Sequence, residues 1–291
     1  MADQADSLRS MAADGRLTRP ALKVFAVTSG KGGVGKSNVA ANLAIHIAKT
    51  GKRVLVIDAD LGLANIEILF GLKPRFHLGD VLGGGRPINE VLVQGPHGIC
   101  LLPAGSGIQS LTQLSDNEKR QFITALDPLE DLFDVVFIDS GAGIGDNVLF
   151  FVGAAQEAIL VVNPEPTALI DAYAVVKVLS QQAGVQSFSV IVNPVVDELA
   201  ARGIFNKLTT VTNRFLTARM RHLGYIPRDE NFHRAIMAQR PLVDMFPSSP
   251  ASRALGDIAV RLLDGPPASK LDGGLKVMWQ RLLRESAPPA G

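Results

Sequence analysis

Eight consecutive residues, Gly30-Lys31-Gly32-Gly33-Val34-Gly35-Lys36-Ser37, restrict the fold of this chain more than any others. They stand between an apolar run over 24–29 that reads as a buried strand and a helical pattern over 38–49 that Gly51 stops. Glycines let successive backbone N–H groups turn toward one anion, and the helix that follows adds the positive end of its dipole. A lysine closing such a loop neutralises phosphate oxygens, and the hydroxyl next to it is placed to ligate a magnesium ion. Gly30, Gly32, Gly33, Val34, Gly35, Lys36, Ser37 and Asn38 are therefore the candidate nucleotide contacts, with Ser37 a candidate Mg2+ ligand. A glycine-rich turn without a ligand would not need the Lys-Ser ending in this strand-to-helix setting.

A loop of this kind works at the end of a parallel strand, and the rest of the chain supplies the sheet. Further strand patterns fall at 54–58, 99–102, 135–139, 158–163 and 188–193, with helical patterns at 116–131, 167–182 and 198–217. A short strand over 224–226 and helices over 231–239 and 250–263 close the series. The alternation predicts an α/β fold of the P-loop NTPase kind: a mostly parallel, twisted β-sheet with helices on both faces. With 291 residues, 47% of them hydrophobic, the chain has enough apolar material for one large domain over 21–263.

Charge and cysteine content narrow the chemistry. Lysine and arginine number 29 against 28 aspartates and glutamates, so no basic excess marks the chain for nonspecific nucleic-acid binding. Cys100 is the only cysteine, which leaves no disulfide and no cysteine cage for zinc or an iron–sulfur cluster. His46, His77, His97, His222 and His233 do not fall at metal-ligand spacing and read as structural or solvated. The first 20 residues lack the apolar core of a signal peptide, and no stretch approaches the roughly 18–20 apolar residues of a membrane span, so the expected setting is the cytoplasm.

Two acidic segments complete the predicted site. Asp58-Ala59-Asp60 ends the second strand pattern, and Asp139 ends the pattern over 135–139. Carboxylates at the C-terminal ends of neighbouring parallel strands lie where open α/β sheets bind ligands, although loop and helix capping also uses such residues. Asp139 is the candidate that holds Mg2+ through its water shell, Asp58 supports Mg2+ or Lys36, and Asp60 is placed to orient an attacking water. Lys31 occupies a position where an ordinary P-loop carries no lysine. It points past its own phosphates and, in a face-to-face dimer, reaches the nucleotide of the other subunit as an arginine finger does. The expected activity is ATP hydrolysis with Lys31, Lys36 and Asp60 as the catalytic set. Dimerisation then accounts for a factor of ~10³ or more in rate.

With Lys31, Lys36, Asp60 and Asp139 in this order and context, the chain resembles the MinD/ParA family of deviant Walker A ATPases, in the SIMIBI class, over 23–263. The resemblance implies a MinD-like fold, ATP and Mg2+ held at the interface of an ATP-dependent homodimer, and adenine contacts near Asn193, Pro227 and Asp229. Within the family the switch sequences resemble those of flagellar-number regulators: Asp58-Ala59-Asp60-Leu61-Gly62-Leu63-Ala64-Asn65, Asp139-Ser140-Gly141-Ala142-Gly143-Ile144, Tyr225-Ile226-Pro227-Arg228-Asp229-Glu230 and Arg240-Pro241-Leu242-Val243-Asp244. Division-site members typically carry proline where Gly141 stands, and threonine is common where Ser140 stands. The start of the chain, Asp3-Gln4-Ala5 followed by Leu8 and Arg9, resembles a motif that stimulates the signal-recognition-type GTPase FlhF. The implied partners are FlhF, flagellar switch or C-ring proteins and, in some relatives, a flagellar transcription activator.

Beyond a Pro/Gly linker over 264–270, Leu271, Leu275, Met278, Trp279, Leu282 and Leu283 recur along one face of a helix over 271–285, with Lys276, Gln280, Arg281 and Arg284 on the other. A cationic amphipathic helix with an interfacial tryptophan reads as a reversible anchor to the inner-membrane lipid surface; docking on the protein itself is the other reading. Two copies in a dimer would bind a membrane with avidity that one lacks. A cargo- or chromosome-positioning ATPase is the competing function, and the near-neutral charge argues against it. The single cysteine argues against an iron–sulfur scaffold, and a tail without tyrosines argues against a tyrosine-kinase relative.

Overall fold

The computed structural model describes residues 22–60, 65–104, 114–126, 129 and 131–265. The expected segments over 1–20, with Asp3, Gln4, Ala5, Leu8 and Arg9, and over 271–285, with the apolar face from Leu271 to Leu283, lie outside the described residues.

Eight strands form one sheet: β1 (Lys23–Thr28), β2 (Val54–Ala59), β3 (Val93–Gln94), β4 (Cys100–Leu102), β5 (Val135–Ser140), β6 (Glu157–Val162), β7 (Ser187–Val195) and β8 (Arg219–Pro227). Their order is β3-β4-β2-β5-β1-β6-β7-β8, and all pairs are parallel except β3 with β4. The chain runs from β1 out to β2 on one side and later returns past β1 to build the β6–β8 half on the other. The C-terminal end of β1 is therefore the switch point of the topology, the place where open α/β sheets bind ligands.

Eleven α-helices among the described residues cover the sheet: α1 (Lys36–Ala48), α2 (Ile66–Leu69), α3 (Leu78–Leu82), α4 (Ile88–Val91), α5 (Asp116–Ala125), α6 (Asp146–Gly153), α7 (Pro166–Gln182), α8 (Glu198–Phe215), α9 (Glu230–Met237), α10 (Leu242–Met245) and α11 (Pro250–Asp264). Successive strand residues point to opposite layers, so each central strand is apolar throughout. Val24, Ala26, Leu55, Ile57 and Ile138 join Phe122 of α5, Phe151 of α6, Leu179 of α7 and Leu208 of α8 in one core. Phe25, Val27, Val54, Val56 and Phe137 join Leu43 and Ile45 of α1 and Leu255, Ile258 and Leu262 of α11 in the other. Edge-to-face packing of Phe122 on Phe151, with centroids 5.5 Å apart, fixes α5 against α6.

Several boundaries differ from the sequence expectation for local reasons. The helix expected over 116–131 starts with a capping box between Ser115 and Glu118 and ends at Ala125. Pro128 in the sequence opposes its continuation. The strand expected only over 224–226 runs for nine residues from Arg219, because Arg221 pairs with buried Glu157 rather than with water. α11 takes up Asp264 of the expected linker, with Gly265 as its C-cap. None of α2, α3, α4, α6, α10 or β3 was visible as an apolar period.

Candidate nucleotide site

Three glycine-dependent contacts shape the loop after β1. Gly30 packs so closely on α7 that a Cβ there would lie 2.4 Å from the Asp171 backbone carbon. Gly35, the N-cap of α1, has φ of 92°, a left-handed conformation that glycine adopts without strain. A Cβ on Gly35 would also lie 2.5 Å from Asn193 Nδ2. That amide donates to the Val34 carbonyl at 2.8 Å, so Asn193, expected near adenine, sits at the end of β7 as a clamp on the loop. The Ser29 hydroxyl donates to the Lys31 carbonyl at 2.8 Å, and the Gly143 N–H donates to the Ser29 carbonyl at 2.9 Å, which ties the β5–α6 loop to the same point.

The loop delivers Lys36 and Ser37 as the first two residues of α1, with Lys36 only 7% exposed. Beneath them lies Asp139, wholly buried, its carboxylate beside the Ser37 hydroxyl and the Lys36 ammonium but in no hydrogen bond of full geometry. Burial raises its pKa to about 7; the Ser37 hydroxyl and the Lys36 ammonium pull the other way, and the Asp60 charge adds to the rise. A fully buried carboxylate without a partner is costly unless a cation completes it. The donor set, one such carboxylate with an adjacent serine hydroxyl at the first turn of a helix, fits Mg2+.

Asp58 is the register partner of Asp139 across β2 and β5. Its oxygens accept from the backbone N–H groups of Asp60 at 3.2 Å, Asn65 at 3.1 Å and Ile66 at 3.2 Å. Burial, and secondly the neighbouring Asp139 charge, push its pKa well up, while the three amides hold it back. Asp58 thus pins the chain that leaves β2 to the start of α2, and Asp139 is the carboxylate with open oxygens. The Asp60 carboxylate lies beside Gly141, with Oδ1 3.8 Å from where a Cβ on that glycine would be, so the two strand-end segments meet over the site.

Lys31 does not turn into its own loop. Its ammonium pairs with Glu165, the N-cap residue of α7, at the rim of the site, and that pairing lowers the Glu165 pKa. Glu165 was missed in the sequence; its position just past the end of β6, in Asn163-Pro164-Glu165-Pro166, was the available signal. Asn163 Oδ1 beside it is a second buried acceptor without a partner. Pro227 ends β8 and Asp229 caps α9; the Asp229 oxygens accept from Asn231 N at 2.9 Å and Ala251 N at 3.1 Å, which joins the starts of α9 and α11. No group of three or more histidine, cysteine, aspartate or glutamate side chains able to hold a metal occurs among the described residues, and none of their helices is long and apolar enough to cross a membrane.

Known proteins repeat this arrangement. A model of the ParA family, described as NUBPL iron-transfer P-loop NTPase, matches residues 21–263. The chain is 43% identical over 266 residues to the antiactivator FleN of Pseudomonas aeruginosa, covering 91% of this chain and 95% of that protein. It is 34% identical over 267 residues to the flagellum site-determining protein YlxH of Helicobacter pylori, covering 90% of each. The solved structure of the septum site-determining protein MinD from Pyrococcus horikoshii, complexed with Mg-ADP, superimposes with a TM-score of 0.69 at 25% identity, covering 85% of this chain and 99% of that one. A lysine-bearing phosphate loop at the switch point of a MinD-like sheet, matched over this length, places the chain in the ParA/MinD family of P-loop ATPases.

Proposed function

We propose that this ATPase is a nucleotide-dependent dimerisation switch that sets the number and placement of flagella. The observation that carries the switch reading is the orientation of Lys31. Lys36 already serves the loop from within, whereas Lys31 lies on the rim against Glu165, where an approaching subunit meets it first. In a face-to-face dimer each Lys31 lends its charge to the other nucleotide, Lys36 neutralises the phosphates of its own, and Asp60 orients the attacking water. Ser37 and Asp139 would hold Mg2+, which neutralises developing phosphate charge when bound. Asn193 keeps the loop shaped, and Pro227 and Asp229 border the base.

The flagellar role rests on the similarity to FleN and to a flagellum site-determining protein, together with the switch sequences of the FlhG type. Its partners would be FlhF, through Asp3, Gln4, Ala5, Leu8 and Arg9, and C-ring proteins or a flagellar transcription activator. Leu271, Leu275, Met278, Trp279, Leu282 and Leu283 would anchor the dimer reversibly to the inner membrane. Metal delivery, which the family description names, has no support in a chain whose single cysteine is half-buried on β4.

Light scattering with MgATP and with MgADP tests the switch. Asp60→Ala is expected to accumulate as an ATP-bound dimer. An ATP-loaded protein that stays monomeric at every concentration sinks the reading. Sedimentation with anionic liposomes, comparing the full chain with one ending at Pro267, tests the anchor; equal pelleting of both removes it.

A further inference from the structure

We propose that the cleft between α3, α4 and α5 is a second ligand site, separate from that of the nucleotide, and that it takes a small amphiphilic anion: an apolar body carrying one carboxylate or phosphate. The cavity measures about 460 Å³. Sites for small organic molecules span roughly 300–1,000 Å³ and pair an apolar lining with a few placed polar groups. None of its lining residues belongs to the phosphate loop or to the strand ends that carry Asp58 and Asp139. α5 presents its C-terminal half to the cleft, and that half leads toward the start of β5, away from the phosphates.

The floor of the cleft is apolar. Val81 near the end of α3 and Ile88 at the start of α4 are buried there, and Pro87 and Ala125 complete it. Two arginines stand beside it. The Arg86 guanidinium lies 3.7 Å from the centre of the Phe76 ring and donates to Glu90 at 2.7 Å through Nη1. That bracing fixes its plane before a ligand arrives, and a guanidinium has five N–H donors, so others remain to serve an anion. The Arg120 guanidinium has no ion-pair or hydrogen-bond partner among the described residues; the Thr124 hydroxyl beside it donates to the Arg120 carbonyl at 3.0 Å.

Charge and shape select the occupant. The described carboxylates of these segments are engaged: Glu90 on Arg86, Asp80 on His77, Asp116 on Lys119, Glu118 on Ser115, and Asp131 beside Arg53. Asp127 and Glu130 lie outside the described residues. Arg75, 5.2 Å from the centre of the Phe76 ring, adds to the positive side. A bare phosphate ion would lose hydration over Val81 and Ile88 with nothing in return, and a neutral hydrocarbon would gain nothing from Arg120. A molecule with both parts covers the floor and sets its head against the arginines, where charge-assisted hydrogen bonds are strong. The cleft is open on one side, so that head keeps contact with water, and the Asn89 and Gln121 amides at the rim can orient it.

The test uses the full chain in saturating MgADP, so that the nucleotide site is closed to the probe. The probe is anilinonaphthalene sulfonate, an apolar anion whose fluorescence rises in apolar surroundings. Arg120→Ala, which removes the charge, and Thr124→Trp, which fills the cleft, are compared with wild type and with Arg253→Ala, which removes an exposed arginine of α11. Because Arg120 and Thr124 are exposed, neither change touches the core. Both cleft variants are expected to bind the probe about tenfold or more weakly, with ADP affinity unchanged, and Arg253→Ala to match wild type. Decanoate or decyl phosphate is expected to displace the probe from wild type, the stronger of the two naming the head group, while inorganic phosphate or decanol at the same concentration leaves it bound. Equal probe affinity in wild type and both cleft variants overturns the proposal. So does displacement by inorganic phosphate alone, or by decanol as readily as by decanoate.

Discussion

Strand β5 carries an aspartate at each end of its path through the core, and the two are treated in opposite ways. At its N-terminal approach, Asp134 accepts from Arg53 Nη2 at 2.6 Å, Arg53 Nε at 3.2 Å and the Arg53 backbone N–H at 2.9 Å. These bonds, the side-chain ones foremost, hold its pKa at about 2. Five residues later Asp139 is buried with only the Ser37 hydroxyl and the Lys36 ammonium near it and no full hydrogen bond, and burial raises its pKa to about 7. The whole sheet repeats the contrast. Its N-terminal edge is closed by Arg221 on Glu157 at 2.7 Å, Arg221 on Ser189 at 2.9 Å, and Lys23 on the Leu263 carbonyl. Its C-terminal edge leaves Thr28 Oγ1, Asn163 Oδ1 and both Asp139 oxygens unsatisfied. Along β5 and its neighbours the charged groups that brace the sheet are paired and those facing the phosphate loop are open, while His222 Nε2, Thr209 Oγ1, Thr212 Oγ1 and Ser252 Oγ are unpaired away from that loop.

Substitutions at the two edges should therefore separate binding from stability. The largest effect belongs to Lys36→Ala, which is expected to lose nucleotide affinity by about 100-fold or more in a fluorescent-nucleotide titration while its melting temperature without ligand stays near wild type. Lys31→Ala should keep nucleotide affinity within a few-fold and lose about 10³-fold in turnover; a loss of affinity instead would place Lys31 on its own phosphates. At the other edge, Arg221→Ala leaves Glu157 buried without its cation. It should cost about 2 kcal/mol by denaturant unfolding, the partly exposed guanidinium keeping the figure below that of a buried pair, with nucleotide affinity unaltered.

The smallest effect is a pH dependence. Asp139 has its folded pKa raised, so the stability it allows is fully present below about pH 4, while it is protonated in both states, and is lost as pH rises through about 7. Asp139→Asn should therefore melt a few degrees above wild type at pH 8 without ligand and match it near pH 4. MgADP should narrow the gap at pH 8. Asp134 works in the opposite sense: its contribution is present above about pH 4 and fades toward pH 2. Identical pH profiles for wild type and Asp139→Asn would remove the contrast between the two ends of β5.

The interior of this fold was legible because a parallel strand covered on both faces has to be apolar at every position, as β2, β5 and β6 are. The phosphate loop was legible because its glycines answer to geometry: Gly30 to the α7 backbone and Gly35 to a left-handed turn. What could not be read depends on partners distant in sequence. The length of β8 hangs on a salt bridge from Arg221 to Glu157, and α6 begins at Gly145 without a side-chain cap. Glu165 acquires meaning only when Lys31 is beside it. For Asp58 and Asp229 the strand-end or loop position was visible, but not that backbone amides would occupy their oxygens.

α11 starts beside Asp229 near the nucleotide end and runs for 15 residues to the point where Lys23 reaches the Leu263 carbonyl and Gly265 abuts Arg221. At 1.5 Å per residue that is a span of about 22 Å. Gly265 is therefore held at the pole of the body remote from the phosphates, against Arg221.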